Sequence, residues 1–298
     1  MMFNYHNFID YLQYEKRCSA HTVTAYQHDL EHFFNHVENA LHLSDISAIT
    51  SSDIRTWIIT LLEDEKLSSR SVNRKISTLK AFFRYEYKIG SVAHNPMGSI
   101  HAPKFPKKLP EYIESKDISK LFDIITFEND FEGCRDRLIL EMFYATGIRL
   151  SELLGIQKND IDFHNNSIKV LGKRNKERII PYGSTLQDLL TSYMEYYEKT
   201  IVPDIHNYYI FVAANGKRLY PKAVYRIVRK YLDMVTTIDK RSPHVIRHTF
   251  ATHMLNNGAD LNAIKEILGH SSLAATQVYT HNSMEQLKSI YKQAHPRA

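Results

Sequence analysis

Along HTVTAYQHDLEHFFNHV the apolar residues Val23, Tyr26, Leu30, Phe33 and Val37 recur at steps of three and four, which predicts one buried face of a helix. Ser19 or Thr22 can cap its start, because a hydroxyl oxygen accepts a first-turn N–H that has no partner within the helix. Ser69–Ile89 repeats the pattern with Val72, Ile76, Leu79, Phe83 and Tyr87. At about 100° per residue these fall in one narrow sector, and Arg70, Arg74, Arg84 and Lys88 fall opposite. One face packs and the other is a cationic ridge. Phosphate binding needs such a ridge, yet a solvated surface helix shows the same pattern, and both readings stay open.

Four of the nine prolines lie between Pro96 and Pro110, in NPMGSIHAPKFPKKLP. Proline lacks a backbone donor and restricts its predecessor, so neither a helix nor a central strand should persist there. The expected organisation is a helical domain over 1–95, a linker over 96–110 and a second domain over 111–298. In the second domain, SIKVL (Ser167–Leu171) and ERIIP (Glu177–Pro181) are short β-branched runs around a basic turn, a hairpin signal. YIFVA (Tyr209–Ala213) is a candidate third strand. Arg135–Ala145 predicts a helix stopped by Gly147, with new starts near Ser151 and at Ser242–Pro243. Leu261–Leu268 should end at Gly269, and Met284, Leu287 and Tyr291 mark a final amphipathic helix. The fold class is mainly α with a small antiparallel β-sheet.

The 298 residues are 43% hydrophobic and 24% charged, a globular composition without repeats or low-complexity tracts. Apolar runs such as Leu138–Ile148 are broken by Glu141 and are too short to span a bilayer. The N-terminus has no charged leader followed by an apolar core, and Cys18 and Cys134 are isolated, so we expect a cytoplasmic protein with free thiols. A net charge of +5 is too mild to identify a partner. Its distribution says more, since Lys66–Lys88 holds seven basic residues against one acid, Glu86.

Candidate chemistry begins at SPHVIRH, residues 242–248. With Pro243 opening a helix, His244 and Arg247 are three apart on one face, where a phosphate would meet an imidazole and a permanent cation. His270 follows the helix stop at Gly269, and Tyr279 comes nine residues later. A phenol, with its ordinary pKa of about 10, becomes a credible nucleophile only if its proton can leave and cations make its target electrophilic. Arg149 stands between a helix stop and a helix start, and Lys173 lies in the hairpin turn. Singly, each of these residues has a plain structural reading as a surface ion pair, a solvated lysine or a core aromatic. His244 and His248 are four apart, a metal-ligand spacing, but no acid occupies the general-base position and Arg247 would repel an ion. His248 and His253 read better as packing residues.

Taken in order, ATGIRLSEL, GKRNKERIIP, SPHVIRHTFATHMLNNGADL, LGHSSLAATQVYTH and the closing HPRA resemble the tyrosine recombinases of the Xer type. The likeness also covers SAHTVTAYQHDLEHF and the proline-rich stretch. GCRDRLILEMFYATGIRLSEL and LKSIYKQAHPRA lean toward the C type of the Xer pair. In the hairpin, Arg174 stands where the family usually has glycine, which bears on how far Lys173 can swing.

The resemblance implies an N-terminal SAM-like, DNA-binding domain and a catalytic domain. It implies that Tyr279 is the nucleophile and forms a 3′-phosphotyrosyl bond. Arg149 and Arg247 would hold the non-bridging oxygens, and Lys173 would protonate the departing 5′-oxygen. His244 would take the tyrosine proton, His270 would hydrogen-bond the phosphate, and no metal or other cofactor would be needed. Glu152 would buttress Arg149, its alternative being a helix-surface acid. Arg70, Arg74, Arg84 and Lys88 would line double-stranded DNA, and Arg226 and Arg229 are candidates for base contacts.

The implied assembly is a homo- or hetero-tetramer on nucleoid DNA, with a second Xer-type recombinase as the hetero partner. A DNA translocase is a further partner that the sequence leaves open. The final helix would dock into a neighbouring protomer or, alternatively, onto its own domain. The implied task is resolution of chromosome dimers at cell division. A mobile-element integrase with the same chemistry, disfavoured by the lack of a long extra N-terminal domain, and a catalytically silent DNA-binding protein are the alternatives.

Overall fold

The computed structural model describes residues 3–104, 111–172, 177–201, 208–269 and 281–297, and the chain divides into two units, Met1–Lys108 and Leu109–Ala298. In the first unit, α1 (His6–Asp10), α2 (Ala20–Ala40), α3 (Ser51–Glu63) and α4 (Ser69–Lys88) surround one apolar core. Their starts are set locally. Ser19 Oγ accepts the Thr22 N–H at 3.3 Å, and Ser68 Oγ accepts the Ser71 N–H at 3.2 Å. Leu30, Phe33 and Val37 of α2 meet Trp57 and Leu61 of α3 and Val72, Ile76, Leu79 and Phe83 of α4, as the periodicity predicts.

Tyr87 departs from that prediction and is 56% exposed. The buried stripe of α4 is displaced toward Lys75, Phe82 and Glu86, so Tyr87, in the last turn, falls beyond its edge. Arg70, Arg74, Arg84 and Lys88 are all exposed. Arg74 already has an anion, because its guanidinium pairs with buried Asp29, which also accepts the Thr78 hydroxyl at 3.0 Å.

Packing of the first unit continues beyond residue 95. Met97 and Ile100 are buried in its core, Ser51 Oγ donates to Pro96 O at 2.6 Å, and Asn73 Nδ2 donates to Pro103 O at 3.0 Å. The prolines stop regular hydrogen bonding there without preventing apolar contact.

The second unit holds α5 (Ser115–Ser119), α6 (Phe131–Thr146), α7 (Leu150–Leu153), β1 (Ile161–Asp162), β2 (Ser167–Leu171) and β3 (Glu177–Pro181). It continues with α8 (Ser184–Thr200), α9 (Pro221–Leu232), α10 (Pro243–Asn256), α11 (Leu261–Leu268) and α12 (His281–Ala294). Helix α6 is buried along nearly its whole length and packs against α8 and α10, and its buried charges are paired, Arg135 with Asp136 at 2.8 Å and Glu141 with Arg297 at 3.0 Å. The sheet is antiparallel in the order β1-β2-β3, with Ile161 opposite Ile168 and Leu171 opposite Glu177.

The third strand is therefore Ile161–Asp162 and not Tyr209–Ala213, which makes only single bridges, Tyr209 to Gln157 and Val212 to Arg218. Ile210, Phe211 and Val212 are buried in succession instead of alternating, so that apolar run is core filling. Leu287 and Tyr291 of α12 are buried on their own unit, where the helix packs against α10 and β3. Among the described residues no helix is long and apolar enough to cross a membrane.

Candidate active site

Gly147 ends α6 in the left-handed conformation, with φ +57°. A Cβ there would lie 2.5 Å from Phe250 Cδ1 and 2.7 Å from Leu268 Cδ2, so glycine is required by conformation and by space. The turn brings Arg149, in extended conformation, to the cap position of α7. Glu152, in the first turn of α7, accepts the Arg149 backbone N–H at 2.8 Å through Oε2 and its Nη1 at 2.7 Å through Oε1.

Arg247 reaches the same place from α10. Its Nη1 donates to Gly147 O and its Nη2 to Leu268 O at 2.8 Å. Arg149 Nη2 donates to Gly269 O at 3.1 Å. A third arginine joins them from β3. Arg178 Nε donates to Ile267 O at 2.7 Å, and Nη1 and Nη2 each donate to a Glu152 oxygen at 2.8 Å. Three consecutive carbonyls at the end of α11 therefore accept from three arginines of separate elements. A helix C-terminus leaves its last carbonyls without partners and carries partial negative charge, so it can gather cations in this way.

The charges do not balance locally. Among the described residues Glu152 is the carboxylate paired with Arg149 and Arg178, and none is paired with Arg247. Burial and the neighbouring Arg149 bring Arg247 down to about 10, still protonated at neutral pH. Burial would raise Glu152, but hydrogen bonds and charge from Arg178, with Arg149 adding to them, hold it at about 2. A site with three guanidinium groups around one carboxylate can take up an anion whose oxygens meet the unused N–H donors.

Of the residues singled out in the sequence, Arg149 and Arg247 meet at this turn, and Glu152 supports Arg149. His244 is exposed on the first turn of α10, the helix that carries Arg247. Lys173, His270 and Tyr279 lie outside the described residues. His253 is buried with Nδ1 3.0 Å from the Tyr144 hydroxyl, a packing residue as its position suggested. Arg226 and Arg229 are exposed on α9, Arg229 lying 3.7 Å from Asp233. Among the described residues no group of three or more His, Cys, Asp or Glu could hold a metal ion. Arg178 is not among the residues singled out by the motifs. Its signal was present, because in a strand of alternating faces Arg178 occupies an inward position, where a charge requires a partner.

Residues 111–286 match the phage integrase family, and residues 6–90 match the phage integrase N-terminal SAM-like domain. The tyrosine recombinase XerC of Oceanobacillus iheyensis is 39% identical over 293 residues, covering 98% of this chain and 95% of its own. The tyrosine recombinase XerD of Listeria monocytogenes is 37% identical over 294 residues, covering 98% of each chain. Two solved structures share the fold. The XerH recombinase bound to palindromic difH substrate aligns with a TM-score of 0.71 at 20% identity, over 94% of this chain and 78% of that one. The Tn1549 transposon integrase with transposon right end DNA aligns with a TM-score of 0.72 at 20% identity, over 92% and 95%. Since the sequence likeness runs along nearly the whole chain, the chain belongs to the phage integrase family, as a site-specific tyrosine recombinase of the Xer type.

Proposed function

We propose that this recombinase cuts double-stranded DNA by attack of Tyr279 on a backbone phosphate and rejoins it to a partner strand, and that its task is chromosome dimer resolution at cell division. The observation that carries the reading is the meeting of Arg149 and Arg247 on the adjacent carbonyls of Gly269 and Leu268, with Glu152 the one carboxylate engaged among the described residues. A phosphodiester supplies the missing anion. Two positioned guanidinium groups beside its non-bridging oxygens stabilise the charge that grows as the phosphorus becomes five-coordinate.

The chemistry then runs as follows. The Tyr279 oxygen bonds to phosphorus as its proton passes to His244, and the bond to the 5′-oxygen breaks as Lys173 protonates that oxygen. His270 hydrogen-bonds the phosphate. The phosphotyrosyl bond keeps the energy of the broken diester, so attack by a 5′-hydroxyl from the partner strand reverses the step and restores a diester. Arg70, Arg84 and Lys88 give α4 a ridge for DNA phosphates, with Arg74 shared between the ridge and Asp29. Exchange between two DNA sites requires a tetramer, in which a second Xer-type recombinase supplies the remaining protomers.

The test uses a nicked duplex carrying the site located by footprinting, built so that the cleaved strand end diffuses away. The unmutated chain should give a protein–DNA adduct that survives denaturant, and Tyr279→Phe should give none while binding the same duplex. Binding without any adduct in the unmutated chain would refute the enzymatic reading.

A further inference from the structure

Arg178 has no part in the roles above, yet every nitrogen of its guanidinium is committed. Nε holds Ile267 O at 2.7 Å, and Nη1 and Nη2 hold the two oxygens of Glu152 at 2.8 Å each. The same two oxygens orient Arg149, through its backbone N–H at 2.8 Å and its Nη1 at 2.7 Å. Glu152 thus accepts four hydrogen bonds, two from each arginine, and its carboxylate plane is fixed from both sides. A Cβ on Gly269 would lie 3.1 Å from Cδ and Nη1 of Arg178, so the guanidinium lies close against the last turn of α11, where a side chain would crowd it.

From this geometry we infer that Arg178 is a positioning residue for strand cleavage. It aims Arg149 through Glu152, and it fixes the end of α11 through Ile267 O. In sequence, Arg178 lies five residues after Lys173, and Ile267 three before His270, so one side chain joins the hairpin strand to the segment entering the catalytic stretch. The inference rests on the reading of Arg149 as a phosphate ligand. Lysine cannot replace arginine here, because one ammonium group is a point charge and cannot hold a carboxylate by two parallel bonds and a carbonyl by a third.

The experiment compares single-turnover cleavage by the unmutated chain, Arg178→Lys and Glu152→Gln on the nicked duplex. One duplex carries an ordinary phosphodiester at the cleaved position, and the other a methylphosphonate, which lacks one charged oxygen. On the phosphodiester both variants should cleave about 100-fold more slowly, the scale expected when a catalytic group is misplaced by about an ångström. On the neutral methylphosphonate, which relies less on Arg149, the deficit should shrink to about 3-fold or less. A residue that only holds the fold would slow both duplexes alike, and equal deficits would overturn the inference. So would unchanged rates in both variants. Should Arg178→Lys fail to fold, as judged by circular dichroism, Glu152→Gln carries the same comparison. Absence of any adduct in the unmutated chain brings down the recombinase chemistry and this inference together, whereas an adduct with equal deficits removes the inference alone.

Discussion

Lowering the pH should loosen the C-terminal tail through a single imidazole. His295 follows α12 and is buried against α6 and α10, its ring stacked on Tyr291 with centroids 4.8 Å apart and 5.7 Å from the Phe250 ring. Its Nε2 donates to Tyr144 O at 3.1 Å, and its Nδ1 accepts the Arg297 backbone N–H at 3.1 Å. Both nitrogens are thus satisfied in the neutral form. A second proton would face the Arg297 N–H, within reach of a guanidinium already held by Glu141 at 3.0 Å. Burial first, then the charge of Arg297, bring His295 from 6.5 to about 4.

The sign follows from linkage. The unfolded imidazole takes up its proton below about pH 6.5, and the folded one does so only near pH 4. Its stabilising contribution is therefore complete above pH 6.5 and is lost as the pH falls toward 4. From these values the loss is about 2 kcal/mol at pH 5 and about 3 kcal/mol at pH 4. Trp57, the single tryptophan, lies in the first unit and cannot report this.

Hydrogen exchange of residues 285–297, corrected for intrinsic rates, can report it. Between pH 7 and pH 5, protection in the unmutated chain should fall about 20-fold more than in His295→Gln. His36 and His253, also lowered by burial, and Glu141, raised by burial, are present in both proteins and cancel. An equal fall in the two proteins would refute the reasoning.

Three further outcomes are expected. Gly147→Ala should destabilise the second unit by about 2–4 kcal/mol, combining left-handed strain with overpacking against Phe250 and Leu268, and denaturation followed by tyrosine circular dichroism measures it. Full stability in that variant would mean that the turn at the site relaxes freely. Arg84→Ala should weaken DNA binding and lower the slope of log affinity against log salt by about one ion. An unchanged slope would place α4 away from phosphate. Lys173→Ala should slow cleavage of ordinary DNA and recover on a duplex whose 5′-leaving group needs no proton. Without that recovery, Lys173 is not the acid.

How much of this was legible in the sequence depends on the range of the interaction concerned. Ser19, Gly147, Pro243 and Gly269 mark helix ends through short-range preferences, so the starts of α2 and α10 and the ends of α6 and α11 could be read directly, whereas α6 begins at Phe131, capped by Asp130, four residues before the expected Arg135. The β-branched runs of the hairpin were legible for the same reason. Tyr209–Ala213 was not, because a short apolar run looks alike whether it is strand or core, and only its neighbours decide. The placement of Tyr87 likewise depended on which side of α4 met α2 and α3.

The ordered motifs carried the family resemblance, since they list chemical groups without needing their distances. The sequence by itself determined a few helix ends, the hairpin and the ordered set of motifs that includes Arg149 and Arg247, whereas α3, α8 and α9 were not read from it. The tertiary structure alone decided that three arginines, from the cap of α7, from α10 and from β3, share the end of α11, and that Glu152 joins two of them. Arg149 and Arg178 are 29 residues apart and Arg178 and Arg247 69 apart, and no local rule spans such separations. Their union depends on burying one carboxylate and three carbonyls together, and that is a property of packing.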